Sequence, residues 1–326
     1  MAKRAVLLLA HGTPETVEQI PEYLRNVVSG RPLPQAVIEE IQHRYALIGR
    51  SPLTEITMQQ ARLVEAELAE AELAAQGLTV PVYVGMRNWR PYIPDVVRQM
   101  RADGVEEAAV ICMAPQNTRT SVGLYRRAVQ AEAGDLRIDF TEGWADHPLL
   151  AAAFAERLRP AWSKLSAEAG HPVPVLFTAH SVPTRTVEPP AAPEGGQPRL
   201  WPGEGADPYA QEARHTAELV AALVPEIPQW WFAFQSQGAS GGPWIGPSVE
   251  ETLDSIAASG VKSLILQPIG FLCDHVEILF DVDILFRKYA VQLGLRLERP
   301  ESLNASVTLA RAVADLARSG LARLAN

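Results

Sequence analysis

Cysteine is nearly absent from the 326-residue chain: Cys112 and Cys273 are the only two. A pair so far apart in sequence excludes a disulfide framework and a four-thiolate cluster. Both lie in apolar, strand-like runs and read as buried free thiols in a reducing compartment. Long hydrophobic runs are missing too. No stretch approaches the roughly 18 apolar residues of a membrane span. The opening "AVLLLA" (5–10) is followed by "HGTPE" with no small-residue cleavage pattern, so it reads as a first strand and not as a leader. Positive charge is scarce: 29 Lys and Arg stand against 38 Asp and Glu, net −9. That balance argues against broad nucleic-acid binding, which wants a basic surface. No G-x-G-x-x-G follows the first strand and no Walker-type loop is present, so nucleotide binding has little support. G-x-S-x-G and H-E-x-x-H are lacking as well. These absences leave a cytoplasmic protein without a transmembrane segment as the expectation.

What is present is an alternation. "AVLLLA" (5–10), "VPVYVGM" (80–86), "AAVICMA" (108–114), "PVLFTA" (174–179), "WWFAFQS" (230–236) and "KSLILQP" (262–268) are short, continuous and apolar. Such runs are strands covered on both faces. Helical patterns lie between them. "MQQARLVEAELAEAELAAQG" (58–77) ends at Gly77, and "PYIPDVVRQMRADG" (91–104) ends at Gly104. "PSVEETLDSIAASG" (247–260) opens with a capping box, Ser248 and Glu251, and stops at Gly260. The alternation predicts an α/β protein with parallel sheets.

The two halves echo each other. "VLLLAHGTP" (6–14) and "VLFTAHSVP" (175–183) agree at five of nine positions, the Ala-His pair included. Two similar domains are expected, residues 1–150 and 151–300. The tail, 301–326, reads as a helix packing back on the first domain. Residues 184–208 are rich in Pro and Gly and read as a long surface loop.

Ligands of open α/β sheets bind beyond the carboxyl ends of strands. There the sequence places His11, "PQNTRTSVGLYRR" (115–127), His180, "QSQG" (235–238) and the stretch "GFLCDHVEILFDVD" (270–283). The last is apolar enough to be buried, yet it holds Asp274, His275, Glu277, Asp281 and Asp283. Buried charges are paired, hydrated or at work. Glu277 and Asp281 are four apart and share a face of a helix; such like-charged neighbours repel unless a cation or proton lies between them. A solvated helical face, with Asp274 as its N-cap, is the plain alternative. His180 has small neighbours in "TAHSVP" and suits proton transfer near neutral pH or metal ligation, although a structural hydrogen bonder also fits.

The order and content of "GRPLP" (30–34), "RYALIGRSPLTEIT" (44–57), "VGMRNWRPYI" (84–93), "PQNTRTSVGLYRRA" (115–128), "TAHSVP" (178–183), "DPY" (207–209), "PWIGPSVEETL" (243–253) and "PIGFLCDHVEILFDVD" (268–283) closely resemble the ferrochelatases. These enzymes insert ferrous iron into a porphyrin as heme is made. The resemblance runs from about residue 5 to 285 and implies two Rossmann-like domains with a porphyrin cleft between them, the chelatase fold. It implies that His180 is the catalytic histidine and that Glu277 is the carboxylate on the opposite face of the macrocycle. His180, Glu277 and Asp281 become the expected metal-handling residues, with His11 as an auxiliary ligand. Arg31, Ser51, Gln60, Arg119, Ser121, Tyr125, Ser236 and Trp244 become the expected porphyrin-contacting set, Arg31 and Arg119 being matched to its carboxylates. Arg90 stands where relatives often have His, and Leu285 where they often extend the acidic row.

The resemblance implies no organic cofactor. Ferrous iron is a substrate and the porphyrin the other partner, with at most a weak peripheral membrane contact. Protoporphyrin IX is the expected porphyrin; coproporphyrin III is the close alternative, and a non-catalytic porphyrin- or heme-binding protein the distant one. Four arginines, Arg31, Arg119, Arg126 and Arg127, bear on that choice and leave it open, as they leave the oligomeric state.

Overall fold

A computed structural model describes residues 2–69, 80–187, 207–238 and 242–325. Two four-stranded parallel sheets dominate it. The first has the order β2-β1-β3-β4, from Arg4–Ala10 (β1), Val82–Met86 (β2), Glu107–Cys112 (β3) and Arg137–Thr141 (β4). The second repeats the order as β6-β5-β7-β8, from Val175–His180 (β5), Trp230–Gln235 (β6), Ser263–Pro268 (β7) and Arg296–Glu298 (β8). All six apolar runs are strands, as predicted. In each sheet the first strand is central, and its carboxyl end carries an Ala-His pair, Ala10-His11 and Ala179-His180.

The helices follow from the same patterning. Leu53–Ala69 (α1) turns Ile56, Val64 and Leu68 inward; residues 70–77 of the predicted helix lie outside the described residues, as do 188–206 of the predicted loop. Val249–Ala258 (α2) begins with the predicted capping box, the Glu251 amide donating to Ser248 Oγ at 3.2 Å. Gln35–Ile48 (α3) and Ile20–Val27 (α4) build a lobe around Tyr23, Leu24, Tyr45 and Trp89, against which Val276 packs.

One apolar cluster runs through both sheets. Val6, Leu8 and Ile111 belong to it, as do Phe177 and Ile265, joined through Phe154 and Leu158 of Pro148–Ala169 (α5) and Val313 of Val307–Ala325 (α6). Helix α6 lies on the first sheet: a Cβ at Gly320 would meet Ala109 Cβ at 3.0 Å, and Arg323 ion-pairs with Asp139 at 2.6 Å.

The stretch 270–283 is where the structure differs most from expectation. Glu277–Phe286 is a π-helix, and Asp274 is not its N-cap. The Asp274 carboxylate instead accepts from Ser302 Oγ (2.6 Å) and Asn304 Nδ2 (2.9 Å). Long runs of i→i+5 winding are rare, because π-helix appears mostly as single turns and often at functional sites.

Candidate active-site cleft

His180 ends β5, and its placement is over-determined. Tyr209 Oη donates to the His180 carbonyl at 2.7 Å, and the Ser181 amide donates to Gln235 O at 2.6 Å. Gly270 passes so close beneath that an added Cβ would meet Ala179 Cβ at 3.0 Å. The imidazole Nδ1 lies 3.1 Å from Glu277 Oε2, outside hydrogen-bond geometry. His275 Nε2 approaches the same oxygen at 3.7 Å. Asp281 is 3% exposed and accepts from Ser236 Oγ, while Arg44 Nη1 reaches it at 3.4 Å. Ser236 holds a left-handed φ of 64°. Gln235, fully buried, joins strand to π-helix: it accepts from Thr178 Oγ1 at 2.6 Å and donates to Glu277 O at 3.3 Å.

His180 and Glu277 are therefore neighbours on one wall, both from the second half of the chain. The expectation that they face each other across a macrocycle is overturned, because a 3.1 Å contact leaves no room for a ring between them. A second polar group comes from the first half, near enough for Glu277, His275 and His180 to act on it. It holds His11, whose Nε2 lies 2.9 Å from Tyr23 Oη and 3.1 Å from Asn88 Nδ2. Arg87 donates to Asn88 Oδ1 (3.3 Å), which orients that amide, and lies over the Tyr125 ring at 5.6 Å. Tyr45 Oη lies 2.9 Å from Thr13 Oγ1. The loop is tight: Gly12 has φ 81°, and a Cβ there would meet Met86 Cβ at 2.9 Å.

The electrostatics separate the two groups. Burial pulls the His180 imidazole down, but Glu277 and Asp281 outweigh it and leave its pKa above the ordinary value. Burial pushes Glu277 up, and the adjacent His180 and His275 bring it well below the usual carboxylate range. Asp281 is pushed up to about 6 by burial and by Glu277, against the pull of Ser236 and Arg44. His11 is pushed down to about 3 by burial first and by Arg87 second; Glu277, His275 and His180 are near enough to act on it. The site thus combines one imidazole that holds protons well with another held neutral. Among the described residues, no three His, Cys, Asp or Glu side chains converge as a resident metal site.

The remaining predicted residues are scattered around this centre. Ser51 is 6% exposed and its Oγ has no hydrogen-bond partner, next to the equally unpartnered Thr54 Oγ1 at the start of α1. Gln60 is buried, and its amide donates to Asn304 O at 2.8 Å. Tyr125 is buried under Arg87. Ser121 precedes the helix Val122–Ala133. The Arg119 amide donates to Asp207 at 2.9 Å. Arg31 is exposed and donates to Val28 O at 3.0 Å, while Trp244 bridges to Pro183. Arg90 points to Glu22 at 3.6 Å. Sequence reasoning missed Tyr23, Arg44, Tyr45, Arg87 and Asn88 as cleft residues. Four of them stand in the stretches "RYALIGRSPLTEIT" and "VGMRNWRPYI", but only the fold shows which of those side chains turn toward His180 and Glu277.

Comparison with known proteins converges on one family. The family model described as Ferrochelatase matches residues 3–321. A ferrochelatase of Acidobacterium capsulatum is 60% identical over 99% of this chain and 96% of its own length. A coproporphyrin III ferrochelatase of Mycolicibacterium vanbaalenii is 34% identical over 97% of this chain and 89% of its own. Among solved structures, the sirohydrochlorin chelatase SirB of Bacillus subtilis subspecies spizizenii, in complex with cobalt, shares the fold with a TM-score of 0.54, at 10% identity, covering 98% and 95% of the two chains.

Proposed function

The chain belongs to the ferrochelatase family and inserts ferrous iron into a porphyrin in heme synthesis, and from that premise we propose how its two walls divide the work. A free-base porphyrin is nearly flat and carries two inner N–H protons. Iron enters only when the ring is bent, the protons are gone and the ion has shed water. A cleft that fits the bent ring better than the flat one lowers that barrier. His180 is the base. Its carboxylate neighbours stabilise the imidazolium that each proton transfer creates, so the transfer needs little rearrangement.

Glu277 and Asp281 offer hard oxygen donors to the incoming ion, and His11, neutral at pH 7, offers a lone pair from the other wall once a bond to Tyr23 or Asn88 is released. The observation that carries this reading is the 3.1 Å contact between His180 and Glu277, with His11 near enough for their charges to act on it.

The porphyrin we assign is protoporphyrin IX. Of the four arginines that bear on the choice, Arg126 is engaged by Glu142 and stacks on Phe140 at 4.9 Å. With Arg126 so engaged, at most three of the four are left, short of one for each group of a tetracarboxylate and enough for a dicarboxylate. The 34% identity to a coproporphyrin III ferrochelatase supports the other substrate. Anaerobic turnover with each porphyrin decides it: a kcat/KM ratio favouring coproporphyrin III refutes the assignment. His180→Ala should abolish iron insertion while porphyrin still binds; retained turnover removes His180 as the base.

A further inference from the structure

Two acidic residues of the stretch 270–283 have no part in the chemistry above. Asp274 and Asp283 bind a single guanidinium. Arg299 Nε and Nη2 donate to the two carboxylate oxygens of Asp283 at 2.8 and 2.7 Å, and Nη1 lies 3.3 Å from Asp274 Oδ1. Its remaining contacts are close by: Nη1 also donates to Pro300 O (3.0 Å) and to Ser302 Oγ (3.2 Å). The Arg299 side chain is 10% exposed.

Arg299 directly follows β8, so its backbone is anchored to the second sheet. It thus ties that sheet to a residue before the π-helix and to one inside it. Asp274 is held a second time by Asn304, whose Oδ1 accepts from the Asp274 amide at 2.9 Å and whose Nδ2 donates to the carboxylate at 2.9 Å. Asn304 has a left-handed φ of 45°, and its carbonyl accepts from Gln60 of the first half of the chain. A continuous polar chain therefore runs Gln60–Asn304–Asp274–Arg299–Asp283.

Ten residues of i→i+5 winding are not what local backbone preference selects. A tertiary hold is needed, and a bidentate guanidinium is the geometrically specific way to provide one. Glu277 lies between the two tethered residues, as does Asp281. Fixing Asp274 and Asp283 therefore fixes where the carboxylates of the cleft stand.

We infer that Arg299 is a positioning residue for metal delivery: by clamping Asp274 and Asp283 it sets the winding that aims Glu277 and Asp281 at the cleft. The inference rests on the reading of Glu277 and Asp281 as metal-handling residues. Arg299 touches neither porphyrin nor iron and acts through those two carboxylates. Loss of such an outer partner typically weakens metal affinity or activity by about 10- to 100-fold.

The test compares the full-length protein with Arg299→Met, Asp283→Asn, the double variant and Glu277→Gln. Binding of Zn2+ alone is measured by calorimetry, porphyrin binding by fluorescence, and KM for ferrous iron separately from KM for porphyrin. Arg299→Met and Asp283→Asn should each weaken Zn2+ and raise KM for iron about tenfold, while porphyrin affinity changes less than about twofold. The double variant should be no worse than either single one, because both remove the same clamp. Arg299→Lys keeps the charge but not the fork; an intermediate loss is expected, and it serves if Arg299→Met is insoluble. Wild-type Zn2+ affinity in a folded Arg299 variant, with Glu277→Gln weakened, overturns the inference alone. Equal loss of Zn2+ and porphyrin in the Arg299 variants also overturns it, since that marks general unfolding. Undiminished Zn2+ binding by Glu277→Gln overturns the metal-site reading and the inference with it.

Discussion

His11 makes this protein acid-sensitive in a way that can be measured. Replace it with Gln, which can still bond to Tyr23 and Asn88 but cannot titrate. In the folded chain the imidazole pKa is pushed down to about 3, against roughly 6.5 when unfolded. Below pH 6.5 the unfolded state binds the proton and the folded state refuses it, so stability falls as pH drops from 6.5 toward 3 and is fully kept above 6.5. Each pH unit is worth about 1.4 kcal/mol at most. Between pH 6.5 and 5 the loss is therefore about 2 kcal/mol, an upper figure because the ring is only half-buried. For 326 residues, an unfolding entropy of about 2.1 cal/mol/K per residue turns this into about 3 °C of Tm. His180 has the opposite sign, since its raised pKa adds stability on the acid side. It is present in both proteins and largely cancels in the difference. Thermal unfolding followed by circular dichroism at pH 7.5 and pH 5.0 is the assay. The wild type should lose about 3 °C more than His11→Gln. Equal losses, or a larger loss in the variant, would show that the ring is not held neutral by its surroundings.

Glu277→Gln should lower kcat far more than it weakens porphyrin affinity; equal loss of both makes Glu277 a structural residue. Gly12→Ala puts a side chain at φ 81° with Met86 Cβ 2.9 Å away, so about 1–3 kcal/mol of strain is expected. Tm and iron KM should worsen together as His11 is displaced; a variant with unchanged Tm shows that the loop is softer than its packing.

The fold was readable where burial is two-sided. β1, β3, β5 and β7 are buried almost throughout and mostly apolar, because sheet and helices cover both faces. β4 ("RIDFT") and β8 ("RLE") were not read as strands: they lie at the sheet edges and their side chains are mixed and polar. The motifs led to the residues of the cleft but not to its layout. Spacing along the chain placed Glu277 and Asp281 on one face of an ordinary helix, whereas the segment is wound as a π-helix. It could not show that π winding and the end of β5 bring Glu277 against His180, since that contact spans 97 positions of sequence (277 less 180). Nor could it show that Asp274 and Asp283, chemically the same as their neighbours, are taken up by Arg299.

The last helix has a consequence for biogenesis. Residues 307–325 cover β3 and β4, strands of the first half of the chain. During translation that sheet face, with Ala109 and Ile111, has no cover until residues 307–325 leave the ribosome. The amino-terminal half therefore cannot complete its interior before that helix is made, and a nascent chain stalled before residue 307 should carry a sticky, chaperone-binding surface.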